Sequence, residues 1–313
     1  MFDTPTVLIL GAGASMPYKF PSGRALLFYI RDSLISGLNH ISIGGNPDNL
    51  NLVCKAISWF PFSDVSIKSF ADALSKTMHP SIDAFLEMYP EHRTIGKVAI
   101  AASLIPFENP DAITKRKRDE LEWYEYFFNL IRHPDEIRKG NLSVVTFNYD
   151  RSFEYFLYYA FMNSYHMASA RAIDLMNHIP IVHIYGNLGA PHFLDKDGRD
   201  YETQVDAGNI QKCIEGIKIM PEIEDTHSTL PQVHSLISKA DRTIFIGFSF
   251  HPVNVQRLKL LEHMRLRIVH GTVYSMMDGE INRVEQTLSK YSVEKWYLHK
   301  LDALNFLRET NYL

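Results

Sequence analysis

Cysteine is almost missing from this chain: Cys54 and Cys213 are its 2 cysteines, far apart and in no paired motif. Two such residues build neither a disulfide framework nor a four-cysteine zinc module, and a reducing, cytoplasmic setting is expected. A basic excess is missing too. The formal net charge is −4, so no positive field of the kind that draws phosphate backbones surrounds the chain, and direct nucleic-acid binding is not expected. The run Lys115-Arg116-Lys117-Arg118 is met at once by Asp119, Glu120 and Glu122, which neutralise it and leave a solvated helix start. Long apolar runs are lacking as well: none approaches the roughly 20 residues of a membrane span. The N-terminus carries no basic region before its short apolar stretch, so a signal peptide is not expected either. The 14 histidines form no His-x-x-x-His pair on one helix and no cluster with cysteine, which argues against a structural metal.

The residues that are present describe an ordered globular protein, 46% hydrophobic and 22% charged, with aromatic residues spread along the whole length. At 313 residues the chain exceeds the roughly 100–200 of a typical domain, so one large core with an insertion, or two small domains, is expected. Thr6-Val7-Leu8-Ile9-Leu10 is a continuous apolar run stopped by Gly11, the pattern of a buried parallel strand at the centre of a sheet. Ser22 stands where it would cap a helix over Gly23 to Arg31. Further strands are expected at Val144 to Phe147, Ile179 to Ile184, Ile217 to Met220, Thr243 to Ile246 and Val273 to Met276. Strands alternating with helical patterns predict an α/β fold with a doubly wound, parallel, Rossmann-like sheet whose ligands bind beyond the strand carboxyl ends.

Strand signals are scarce between residues 38 and 140. Helical patterns over Asn49 to Trp59, Val65 to Met78, Ile82 to Tyr89, Thr94 to Leu104 and Lys115 to His133 predict a helical insertion, 38–140, in a core made of 1–37 and 141–313. Asn39 to Asn51 and Pro106 to Asp111 are rich in turn formers and read as connecting loops. Trp123, Tyr124, Tyr126, Phe127, Phe128, Leu130 and Ile131 form a broad aromatic surface on one helix. Burial in the insertion or at a subunit interface accounts for it more simply than a base-stacking platform.

Four segments at expected strand ends carry groups able to meet a ligand. Gly11-Ala12-Gly13-Ala14-Ser15 follows the first strand, where small residues let backbone N–H groups approach a pyrophosphate, although a tight turn would look similar and Met16 takes the place of a third glycine. A dehydrogenase reading also needs a second strand ending in an acidic residue about 20 positions on, and a helical region intervenes instead. Thr146-Phe147-Asn148-Tyr149-Asp150 presents an amide and a carboxylate at the next strand end, unless they only cap the helix near Ser152. In Ile181-Val182-His183-Ile184-Tyr185-Gly186-Asn187, alternation puts His183 and Tyr185 on one face, where a strand histidine also fits a core role. Ile246-Gly247-Phe248-Ser249-Phe250-His251-Pro252-Val253-Asn254 ends a further strand, with Gly and Ser suited to a second nucleotide half or to a plain turn.

Taken in this order, the four segments resemble the sirtuin superfamily: a Gly-Ala-Gly-x-Ser loop, a Thr-x-Asn-x-Asp segment, a strand ending near His-Gly and a late Gly-x-Ser. Phe20-Pro21-Ser22-Gly23 and Ser81-Ile82-Asp83-Ala84-Phe85-Leu86 are similar to stretches of the bacterial sirtuin-like branch that hydrolyses NAD in antiphage defence. The resemblance implies that Gly11, Ala12, Gly13, Ala14 and Ser15 hold the pyrophosphate of NAD, which is substrate rather than resident cofactor. It further implies that Asn148 positions the attacking water or the ribose hydroxyls, with Asp150 in support. Gly247 and Ser249 would contact the adenosine side, and Asp83, Gly186 and Asn254 would join the binding set. In one departure, Tyr185 occupies the register of the family's catalytic His before Gly186, and His183, two residues earlier, would substitute for it.

The implied activity is NAD hydrolysis to nicotinamide and ADP-ribose in an antiphage effector. A homo-oligomer, or a partner such as a defence-system ATPase, would hold it in check. Hydrolysis passes through an oxocarbenium-like state, and nicotinamide leaves neutral without a proton donor. The alternatives are a non-catalytic NAD or ADP-ribose sensor and, behind it, a zinc-free protein deacylase.

Overall fold

In a computed structural model, the described residues are 3–42, 44, 46–115, 121–220, 222, 229–251, 254–255, 259–263, 268–291, 293 and 295–310. Strand β1 (Thr6–Leu10) leads into α1 (Ala12–Ser15), α2 (Gly23–Ser42), α3 (Leu52–Ser58), α4 (Asp64–Lys76), α5 (Ile82–Met88), α6 (Arg93–Leu104), α7 (Pro110–Thr114) and α8 (Trp123–Asn129). Next come β2 (Leu142–Thr146), α9 (Ser152–Ser164), α10 (Ser169–Met176), β3 (Ile181–His183), α11 (Ala207–Gly216) and α12 (Thr229–Lys239). The chain ends through β4 (Arg242–Ile246), β5 (Ile268–Thr272), α13 (Asp278–Lys290), β6 (Lys295–His299) and α14 (Ala303–Glu309).

All six strands are parallel, in the order β3-β2-β1-β4-β5-β6. This is the strand order of the dinucleotide-binding doubly wound fold, and it reverses direction at β1 and β4. The apolar run of β1 sits at the centre as expected, paired on both sides, with Val7, Leu8 and Ile9 at 0% exposure. Helices flank the sheet, as an all-parallel sheet requires to cover both faces.

Local chemistry explains the main helix boundaries. Ser22 Oγ accepts from Ala25 N at 3.2 Å, so the expected cap starts α2, which then runs on to Ser42, well past Arg31 and into the stretch expected as a loop. No strand lies between β1 and β2 among the described residues, so the long connection between these two paired strands is helical. Its centre is α6, where Val98, Ala99, Ile100 and Ala101 are sealed from solvent. The aromatic helix α8 is buried within the chain: Trp123 stacks on Phe153 of α9, and Tyr124 on Tyr18. Of the basic run, 116–120 lie outside the described residues.

Two expected strands are corrected, and one strand had gone unforeseen. Ile217 to Met220 makes a single antiparallel bridge, Gly186 to Ile217, because Ile217 N caps α11 on Cys213 O and Ile219 N is taken by Glu222 Oε2. Val273 to Met276 is a turn closed by Met276 N on Val273 O, and the strand lies just before it, at Ile268–Thr272. His270 and Gly271 interrupt the apolar run there, and at Gly271 a Cβ would sit tightly against the Phe250 ring, at 3.1 Å. The half-buried edge strand β6 had no apolar run to announce it.

Candidate functional site

The four segments singled out from sequence fall at the carboxyl ends of four neighbouring strands, β3, β2, β1 and β4, along one edge of the sheet. The strand order reverses within this set, between β1 and β4, which is where ligands of open α/β sheets bind. The loops after β1 and β4 touch through their backbones. Gly11 N donates to Ile246 O and Gly13 N to Gly247 O, both at 3.0 Å, and Gly247 has φ +61 with a Cβ position only 2.1 Å from Ala14 N. These glycines therefore serve loop-to-loop contact. Since Ala14 N also donates to Gly11 O, three of the N–H groups expected to face a pyrophosphate are engaged by the protein itself.

Asn148 is the residue that ties β2 to the glycine loop. Its Nδ2 donates to Gly11 O and to Ser15 Oγ, each at 3.0 Å, and its N donates to Thr146 Oγ1 at 3.1 Å. Gly11 O can only accept, so the amide nitrogen must face it, and the orientation of the side chain follows from chemistry. Oδ1 then lies on the other branch of the amide, and the Asn148 side chain has no further hydrogen bond among the described residues. A fixed acceptor of this kind suits a hydroxyl or a water.

Behind Asn148 lies a buried polar network. Ser152 Oγ and N both donate to Asp150 Oδ1, and Tyr124 OH meets Ser152 Oγ at 2.7 Å; the N-cap of α9 is Arg151, so Asp150 holds the first helical N–H from one position before the cap. Burial pushes the Asp150 carboxyl up, against the bonds from Ser152 and Ser15 that lower it. A cavity of about 10 Å³, room for about one water, is lined by Ser15, Tyr124, Asn148, Asp150 and Glu154 among others. His183 completes this network: Nδ1 lies 2.7 Å from Asn148 O, and Nε2 bonds Glu154 Oε1. Burial alone would lower the His183 pKa, but the Glu154 carboxylate and the two hydrogen bonds outweigh it and hold the imidazole above its ordinary value.

The strand reading placed His183 and Tyr185 on one face, but β3 ends at His183 and Tyr185 lies in the following turn, closed by Gly186 N on His183 O. Alternation therefore does not extend to it. Tyr185 OH donates to Asn254 Oδ1 at 2.9 Å, and its ring lies against Phe147 and Tyr149. Gly186 has φ +66, and a Cβ there would lie 1.8 Å from Gly216 O, which explains the glycine without a ligand. Asp83, in the first turn of α5, accepts from Tyr149 OH, and burial raises its carboxyl above the ordinary value. Ser249 is exposed at the same edge; Pro252 and Val253 lie outside the described residues.

Several residues of this neighbourhood carried no recognisable sequence signal. Glu154 looked like an ordinary acid in a helix first turn, and Tyr124 like one more aromatic of α8. Arg151 grips Glu108 with Nε at 2.9 Å and Nη2 at 2.7 Å, while Arg199, far along the chain, bonds the same carboxylate. The three are buried, and Arg151 also donates to the carbonyls of Gly189, Arg199 and Asp200, pinning the loop after β3 to the insertion. Among the described residues no group of His, Cys, Asp and Glu is arranged to hold a metal ion, and no helix is long and apolar enough to cross a membrane. No protein-family model matches this chain, and no curated protein matches it, so the geometry of the carboxyl edge carries the functional reading.

Proposed function

We propose that this chain is a sirtuin-like protein that binds NAD across the carboxyl edge of its sheet and hydrolyses the bond between nicotinamide and ribose. The products are nicotinamide, ADP-ribose and a proton. One observation carries this reading: Asn148, at the strand end beside the reversal point, is locked onto the glycine loop by both amide hydrogens, which leaves its Oδ1 as the uncommitted acceptor of the side chain. An acceptor so held can orient a ribose hydroxyl or the incoming water as positive charge builds on the sugar, and it needs no rearrangement when the bond breaks. Because nicotinamide leaves as a neutral molecule, the site requires no general acid. The cavity beside Asn148 is far too small for a dinucleotide, so NAD would lie outside it, along the carboxyl edge of the sheet.

A second reading, a non-catalytic NAD or ADP-ribose sensor, draws support from His183 and Tyr185. Both His183 ring nitrogens are occupied by Asn148 O and Glu154, and the Tyr185 hydroxyl by Asn254. A role in antiphage defence, a homo-oligomeric state and regulation by an ATPase belong to the same proposal through the sirtuin resemblance. Nicotinamide release from NAD by the purified chain separates the two readings. Hydrolysis that vanishes in a folded Asn148→Ala variant is the expected result, since this half-exposed amide leaves no core cavity when truncated. Unchanged turnover in that variant would remove Asn148 from the mechanism, and tight NAD binding without turnover in the parent protein would favour the sensor.

A further inference from the structure

Glu154 is an acid that the hydrolysis proposed above does not use. It stands in the first turn of α9 yet points inward, with its side chain 7% exposed, and its described hydrogen-bond partner is Nε2 of His183, itself 6% exposed. The other ring nitrogen of His183 faces Asn148 O, two residues beyond the last strand residue of β2. The ladder between these strands ends with Ile184 N on Thr146 O, so past that point the His183 side chain takes over the pairing.

We propose that Glu154 and His183 form a clamp on the main chain of Asn148, which makes Glu154 a positioning residue for the ligand-facing amide. It rests on the NAD reading only for the identity of the ligand that the amide meets. Hydrogen-bond chemistry fixes how the clamp works. Asn148 O can only accept, so Nδ1 must carry a proton. Nε2 and Glu154 then share one more proton, either as imidazolium and carboxylate or as neutral imidazole and carboxylic acid, and the pair is neutral in both forms. A neutral pair can stay buried, whereas removing the acid leaves His183 free to take the other tautomer, which would turn a lone pair toward Asn148 O. Asn148 is thus held at N, at O and twice at Nδ2, and Oδ1 alone remains for a ligand. The titratable and charged groups around the pair are Asp150 beside His183, and Arg151, Tyr124 and Tyr201 toward Glu154.

The test compares Glu154→Leu, which deletes the acid, with Glu154→Gln, whose amide can donate to Nε2 and preserve the Nδ1 proton. Nitrogen NMR of labelled histidine in the parent protein is expected to show Nδ1 protonated from pH 6 to 8, and the Asn148 amide signals to shift in Glu154→Leu more than in Glu154→Gln. With NAD as probe, Glu154→Leu should lose about tenfold to hundredfold in kcat with a smaller change in KM, and Glu154→Gln several-fold less. An unprotonated Nδ1 in the parent protein, or Asn148 signals and kcat unmoved in a folded Glu154→Leu, overturns the clamp. If Glu154→Leu does not fold, the parent spectrum and Glu154→Gln decide alone. Should the parent protein lack NAD hydrolysis, the NMR measurements still judge the clamp while the hydrolase reading fails separately.

Discussion

Tyr185 shows how one hydroxyl can be assigned by the company it keeps. Its ring packs against Phe147 and Tyr149, and its oxygen donates to Asn254 after β4, so the side chain spans two strand ends. With the hydroxyl already committed, the expected outcome of Tyr185→Phe is nicotinamide release within a few fold of the parent. The lost hydrogen bond should cost about 0.5–1.5 kcal/mol of stability, because the phenyl ring keeps its neighbours. Urea titration together with the NAD assay checks both numbers. A complete loss of turnover at unchanged stability would instead put the phenol on the ribose, in the role that the sirtuin register gives to histidine. At this scale the sequence was informative about residue types and silent about partners. Asn148, Asp150, His183 and Tyr185 could be singled out because each stood at a strand end. That Glu154 would turn inward, or that Glu108 would sit between Arg151 and Arg199, depends on contacts between distant parts of the chain that no local pattern records.

Among the elements, β1 and β4 show what their glycines do within the fold. Gly11, Gly13 and Gly247 were correctly expected at strand ends, but their lack of a Cβ first serves the contact between the two loops that flank the reversal point. Replacing Gly247 tests this directly, since its φ is +61 and a methyl group would press on Ala14 N at 2.1 Å. Gly247→Ala is expected to destabilise the fold by roughly 1–3 kcal/mol from backbone conformation alone, with a further penalty from the contact, and calorimetry without ligand measures it. A melting temperature equal to that of the parent would mean that the loops part easily, and would return these glycines to a purely ligand-binding role. Strand legibility followed burial on both faces. The central strands β1 and β4 carry the apolar runs Val7 to Leu10 and Ile244 to Ile246, whereas β5 is interrupted by His270 and Gly271, and β6, at the edge, is half-buried. A one-sided or punctuated strand gives periodicity little to detect.

For the molecule as a whole, pH couples these buried groups to stability, and His270 offers the cleanest separation. It is 2% exposed on β5 and stacks on Tyr297 at 5.1 Å. Burial, and then Arg242 and His299, hold its pKa down to about 4 from the ordinary 6.5. The unfolded chain therefore takes up a proton at His270 between pH 6.5 and 4 that the folded chain refuses. Its contribution to stability is complete above 6.5 and drains away as the pH falls toward 4. His92 and His299, also lowered by burial, act in the same direction. His183 acts the other way: raised in the fold, it contributes fully below 6.5 and loses that contribution as pH climbs through its folded pKa. Asp83 and Asp150, raised by burial, are likewise relieved by acid. These opposed terms make the total slope of the parent protein a poor witness to any one of them, so the informative quantity is a difference. His270→Phe keeps an aromatic ring over Tyr297 and removes the titration. Its urea midpoint, followed from pH 7 to 4, should fall less steeply than that of the parent. The gap between the two curves should open below pH 6.5 and level off near 4. Parallel curves across that window would show that His270 titrates alike in the folded and unfolded chains, and that water reaches a side chain the structure holds only 2% exposed.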